Sequence, residues 1–61
     1  MSTLNQMELQ HLRHFIGAQE NSYNKLTHYA DTAVDPQIKQ VLNKAAQDSL
    51  NSKQKLISFL G

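Results

Sequence analysis

The sequence has no cysteine and no tryptophan, and its 61 residues include one proline and two glycines. The absence of cysteine excludes disulfide bonds as a source of stability. A folded chain of this length hides only about 60% of the surface that its unfolded form exposes, so its own core is marginal. We therefore predict that self-association or a bound metal ion completes the fold.

Charged residues are also sparse, at 18% of the sequence, and the formal net charge is +1. A net charge this small does not create the positive electrostatic potential that would indicate binding to a nucleic acid or to an anionic membrane. No apolar run approaches the ~18 residues of a membrane span, and the N-terminus lacks the basic-then-apolar pattern of a secretory signal. We expect an intracellular protein without a nucleic-acid or membrane partner.

The strongest break in the sequence lies at Asp35 and Pro36. Asp35 is a good N-cap, Pro36 suits the first position of a helix, and a residue before proline disfavours helical dihedrals. At the front, Asn5 with Glu8 forms one capping box, and Thr3 with Gln6 forms a competing one. We predict one all-α domain over 1–61, with helices at about 5–33 and 36–60 and a turn at about 34–35.

Apolar residues recur at helical spacing in both segments, which predicts two amphipathic helices. A connection this short forces the helices to run antiparallel. Both stripes, widened by Phe15 and Tyr29 in the first helix, exceed what a two-helix seam covers. We therefore predict a homodimer of two hairpins that forms a four-helix bundle. The residues predicted to pack in the core or dimer are Leu9, Leu12, Ile16, Tyr23, Leu26, Leu42, Ala45, Leu56 and Phe59.

Gly17 lies in the middle of the first predicted helix, where glycine costs about 1 kcal/mol relative to alanine. Close packing against another helix, helped by Ala18, is the simpler explanation. A local bulge beside a functional site is the alternative.

Polar residues interrupt both apolar stripes at one height. Glu20 lies 13 positions before Ala33, and Asp48 lies 13 positions after Asp35, so counting from the turn predicts the same height for both. Inward polar groups cost stability unless they are paired, which favours a buried hydrogen-bond network that fixes the register. We call these residues the polar waist: Gln19, Glu20, Asp48, Ser49 and Ser52, with Asn51 beside them.

The segment from Gly17 to Leu60 resembles half of a ferritin-like or rubrerythrin-like bundle. The resemblance rests on Glu20 followed by Tyr23, on the turn with Asp35 and Pro36, and on the run Asp48-Ser49-Leu50-Asn51 before an apolar ending. Within that superfamily the chain is most similar to the small spore-coat-type proteins of spore-forming bacteria.

This resemblance implies a metal site with departures from the usual ligands. Glu20 matches the first-helix glutamate, whereas Asp48 and Asn51 stand where the Glu and His of Glu-x-x-His are expected. Asparagine is a poor ligand for iron. Two copies would still bring four carboxylates, which suit a hard divalent cation.

Two functions follow from the resemblance. We favour a non-catalytic structural protein of spore-coat type, without a cofactor, which is spore-associated and assembles with itself or with other coat or helical proteins. The alternative is a ferritin-like protein that holds a divalent metal in a degenerate carboxylate site at the dimer interface.

Other candidate chemistry is weak. Glu8-x-x-His11 and the pair His11 and His14 are short patterns that lie near the outer face, where an incidental zinc or nickel site is the alternative to plain exposure. His28 has no ligand-type neighbour one turn away. There is no glycine-rich phosphate loop and no Ser-His-Asp arrangement with a plausible scaffold, so we predict no catalytic residue.

Overall fold

The computed structural model describes residues 4–60 and contains two helices, α1 (Gln6–Thr32) and α2 (Pro36–Ser58). They pack against each other along a molecule that measures 45 × 16 × 11 Å. The predicted all-α helical hairpin is confirmed. Compared with the predicted bounds, α1 is one residue shorter at each end and α2 is two residues shorter at its C-terminus. Over residues 4–60, neither helix is long and apolar enough to cross a membrane.

A capping box fixes the start of α1. The Asn5 Oδ1 atom accepts a hydrogen bond from the Glu8 N–H at 2.7 Å, and Glu8 Oε1 accepts one from the Asn5 N–H at 3.2 Å. These two bonds satisfy backbone donors that have no partner within the helix. The competing capping pair involves Thr3, which lies outside the described residues.

The chain reverses between Ala33 and Pro36. The Ala33 N–H donates the last bond of α1 to the Tyr29 carbonyl at 2.9 Å. Asp35 then accepts from the N–H groups of Gln37 at 2.8 Å and Ile38 at 3.3 Å, while proline occupies the first position of α2. Because the proline has no N–H to lose, the cap and the proline together start α2 without an unsatisfied donor there.

The core between the helices is thin. Ala30 and Ala46 are the only fully buried side chains among residues 4–60. Phe59, predicted to pack in the core, is 46% exposed in the single chain because it lies at the edge of the seam, on the same row as the exposed Ser52 seven residues earlier. The other predicted packing residues are half-buried: Leu9, Leu12, Ile16, Tyr23, Leu26, Leu42, Ala45 and Leu56.

Neither expectation for Gly17 holds within one chain. A Cβ atom added there would have no neighbour within 4 Å, so α2 does not pack closely against it. The residues around Gly17 form uninterrupted α-helix, so there is no bulge either. The glycine therefore costs helix stability without a compensating contact inside the hairpin.

Gly17→Ala should raise the free energy of unfolding by up to about 1 kcal/mol, because alanine is the better helix former and the added methyl meets open space. Chemical denaturation followed by circular dichroism measures the change. Ala18→Gly is the matched control and should lower the free energy of unfolding by a similar amount, since Ala18 is an exposed neighbour in the same helix. A destabilised Gly17→Ala variant would contradict the open surroundings of this position.

Candidate functional site

Glu20 is exposed and pairs with a lysine across the helix seam. Its Oε1 atom lies 3.8 Å from Nζ of Lys53, and the two side chains are 57% and 26% exposed. Lys53 occupies an inward position of α2, between the half-buried Ser49 and Leu56. Its aliphatic stem can lie along the seam while the ammonium reaches the surface.

Asp48 and Asn51 are exposed as well, and each interacts within α2. An oxygen of Asp48 lies 3.8 Å from Nζ of Lys44, one turn earlier. The Asn51 Oδ1 atom accepts a hydrogen bond from Gln47 Nε2 at 3.0 Å. In the single chain these two residues therefore have partners on their own helix, and Glu20 has a lysine rather than Asp48.

The polar waist is partly formed within one chain. Ser49 is half-buried and donates a hydrogen bond to the Ser22 hydroxyl of α1 at 3.3 Å. Within residues 4–60 this bond links a side chain of one helix to a side chain of the other. Gln19 is half-buried and Ser52 is exposed. Since residues 4–60 contain no fully buried polar side chain, the hairpin alone does not form the buried network.

The predicted match of Glu20 with Asp48 fails because Asp48 points outward, two positions and therefore about 200° around α2 from the fully buried Ala46.

Side chains that do meet across the seam are shifted in height, because they lean along their helices. Ser22 lies 11 positions before Ala33, whereas its partner Ser49 lies 14 positions after Asp35. In each helix the Cα–Cβ bonds tilt toward the N-terminus. Side chains of α1 therefore point away from the turn and those of α2 toward it, so a residue of α1 meets a residue of α2 that is farther from the turn.

The single chain does not provide the donor set of a metal site. No three His, Asp or Glu side chains lie close enough together to hold a metal ion anywhere in the part of the chain that the structure describes. The first-helix glutamate faces an ammonium group, and the position expected for histidine holds an amide that is already hydrogen-bonded. A ferritin-like metal centre does not fit these residues within one hairpin.

The histidines lie on the outer surface. His11, His14 and His28 are all exposed. The His14 ring lies edge-on to its neighbour Phe15 with centroids 6.2 Å apart, and His28 is next to Tyr29 at 6.3 Å. These are contacts between adjacent residues on a helix surface, and they do not assemble a catalytic group.

A shallow groove of about 370 Å³ lies toward the open end of the hairpin, where the helices are farthest from the turn. Rings and aliphatic side chains form most of it, and one serine, one glutamine and one lysine complete it. Lys55 is its only charged residue. The lining residues are Phe15, Gln19, Ser52, Lys55, Leu56 and Phe59.

Sequence reasoning missed Ser22 and Lys53, which each make a polar contact between the helices within residues 4–60. The spacing of α2 carried a signal for Lys53, because it lies seven residues after the fully buried Ala46 and shares its side of the helix.

Comparison with known proteins gives no relative, because the chain matches no protein-family profile, no curated protein and no solved structure. The ferritin-like and spore-coat-type resemblance therefore stays a prediction from the sequence pattern.

Lys53→Met should leave the free energy of unfolding unchanged or raise it. Exposed ion pairs contribute about 0–1 kcal/mol, and an apolar side chain of similar length can pack at this inward position. The measurement is urea denaturation at low and high salt. Lys44→Met, in the fully surface-exposed pair with Asp48, is the control and should shift stability by less than about 0.5 kcal/mol. A loss above about 1 kcal/mol for Lys53→Met would show that the Glu20 pair matters more than its exposure indicates.

Proposed function

We propose that this chain is a non-catalytic structural protein that acts by assembling with itself, as a homodimer of hairpins in a four-helix bundle. The observation that supports the proposal is the small size of the core. Two alanines are fully buried within residues 4–60, while large apolar side chains remain exposed. Those exposed by at least 40% are Met7, Phe15, Tyr29, Val34, Ile38, Val41, Ile57, Phe59 and Leu60.

The exposed area agrees with the need for a partner. The chain exposes 4908 Å². A folded monomer of its 6.9 kDa mass exposes about 4,000 Å² by the usual scaling of surface with mass. The excess of about 900 Å² is close to the ~800 Å² that one partner contributes to a standard interface. The single hairpin therefore exposes more surface than a compact monomer of its mass, which supports a partner that covers part of it.

The sequence resemblance supports a spore-coat-type role for such an assembly, with an intracellular, spore-associated location and other coat or helical proteins as further partners. A long, cysteine-free hairpin with an apolar surface is suited to packing between helices. Within the described residues no arrangement of side chains supports catalysis, so the proposed activity is assembly.

In solution the chain should have about twice its monomer mass of 6.9 kDa, because the exposed apolar surface favours pairing. Size-exclusion chromatography with light scattering measures the mass. The thermal midpoint should also rise with protein concentration, since association stabilises only the folded form. A monomer whose thermal midpoint does not change over a hundredfold dilution would contradict the proposal and favour an adaptor that awaits a different helical protein.

The ferritin-like alternative keeps Glu20, Asp48 and Asn51 as ligands and requires a dimer interface to bring the carboxylates of two copies together. The lysine partners of both carboxylates weigh against it.

Protein purified without a chelator and without a histidine tag should therefore contain far less than one iron, manganese or zinc ion per dimer. Elemental analysis by mass spectrometry measures the content. Glu20→Gln combined with Asp48→Asn is the control for any metal that is found. Stoichiometric metal that disappears in this double variant would favour the ferritin-like alternative.

A further inference from the structure

Three residues with metal-binding side chains lie in one strip near the start of α1. Met7, His11 and His14 occupy positions i, i+4 and i+7 of the helix. At 100° per residue, a strip about 60° wide around the helix axis contains all three. Successive members are four and three residues apart, the separations at which Cβ atoms approach to about 5–6 Å. One thioether and two imidazoles therefore share a small part of the surface.

These three side chains are accessible to a metal ion. Met7 is 66% exposed, and both histidines are exposed. The hydrogen bonds and ion pairs within residues 4–60 involve none of the three side chains. The His14 ring meets Phe15 edge-on with centroids 6.2 Å apart, a contact between rings that uses no hydrogen bond. No polar partner in this part of the chain competes with a metal ion for these side chains.

The direction of the side chains brings their donor atoms together. Cα–Cβ bonds tilt toward the N-terminus of a helix, so His14 leans toward His11 and His11 leans toward Met7. Met7 is the second residue of α1, so no helical turn precedes it to restrict its side chain. Its three rotatable bonds let the sulfur turn back toward His11. An ion bound by His11 is therefore within reach of a ligand on either side.

The donor set favours copper(I) over zinc, nickel or iron. Soft sulfur ligands such as a thioether select copper(I), whereas imidazole binds several metals. The sequence has no cysteine, so no thiolate competes for the ion. Copper(I) also accepts low coordination numbers, so the ligands of one helix are enough.

The charges around the strip are favourable to a cation or screened from it. Glu8 lies beside the strip, and its carboxylate is held there by the Asn5 N–H of the capping box. Arg13 lies about 130° around α1 from the middle of the strip. Lys55 of α2 lines the groove beside Phe15 and is exposed, so water and salt screen its charge.

We infer that Met7, His11 and His14 bind one copper(I) ion per chain. This site is independent of the proposed function, because one helix supplies every ligand and no second copy is needed. It also differs from the ferritin-like alternative, whose carboxylates suit a hard divalent cation. Compared with an incidental two-histidine site, it has a sulfur ligand that selects the metal.

Competition with the chromogenic chelator bicinchoninate, under anaerobic and reducing conditions, measures the copper(I) affinity of the untagged chain. Met7→Leu, His11→Gln and His14→Gln should each weaken binding at least about tenfold, since even outer-shell partners of a metal contribute that much. His28→Gln is the matched control, because His28 is exposed and has no ligand-type neighbour one turn away. The control should change the affinity by less than about twofold. Circular dichroism checks that every variant stays helical.

A zinc titration and a methyl spectrum identify the sulfur as a ligand. Met7→Leu should leave zinc affinity within about twofold of the wild type while it weakens copper(I) binding. Copper(I) should also shift the methyl resonance of Met7 in protein labelled with carbon-13 at its methionine methyl groups.

Copper(I) affinity that is unchanged in Met7→Leu, or that falls equally in His28→Gln, would overturn the site. Absence of one-to-one binding at about 10 µM chain would do the same. Each of these results leaves the solution mass of the chain, and therefore the proposed function, untouched.

Discussion

The structure depends on a single seam between two helices. Each helix can bury only the stripe that faces its neighbour, and the seam is narrow enough that Ala30 and Ala46 alone are fully covered within residues 4–60. All larger apolar side chains keep part of their surface in contact with water. This limit follows from having two elements rather than three or more, because a layer of two helices has no interior. The exposed aromatic residues and the sparse polar contacts follow from it, and it is the ground on which a partner is proposed.

The fold could be predicted from the sequence because local chemistry and long-range pattern agree. Asn5 with Glu8 and Asp35 with Pro36 mark the starts of both helices, and the capping bonds are present in the structure. The helical spacing of apolar residues predicts two amphipathic helices, and the short connection between them makes the pair antiparallel. Consistency between capping and periodicity is what makes such a sequence specify one architecture.

The candidate site could be predicted much less well, for a geometric reason. Counting from the turn assumes that residues at equal height touch, whereas tilted side chains shift the true partners by several positions. The shift pairs Ser22 with Ser49 and Glu20 with Lys53, whereas Asp48 lies on the outer side of α2 and pairs with a lysine of its own helix. Helical periodicity fixes which side of each helix faces inward, but small differences in height decide which polar atoms meet.

The antiparallel course of α1 and α2 places residues 4 and 60 at the same pole of a rod 45 Å long, with the exposed Val34 at the other. Tandem fusion of two copies would therefore be sensitive to how they are arranged. If the two-fold axis of the proposed dimer runs along the helices, the two open poles are adjacent and a few linker residues suffice. If the axis crosses the helices, the linker must span most of the rod, which takes about 13 extended residues. The position of residues 4 and 60 at one pole of the hairpin thus governs how two copies can be joined into a single polypeptide.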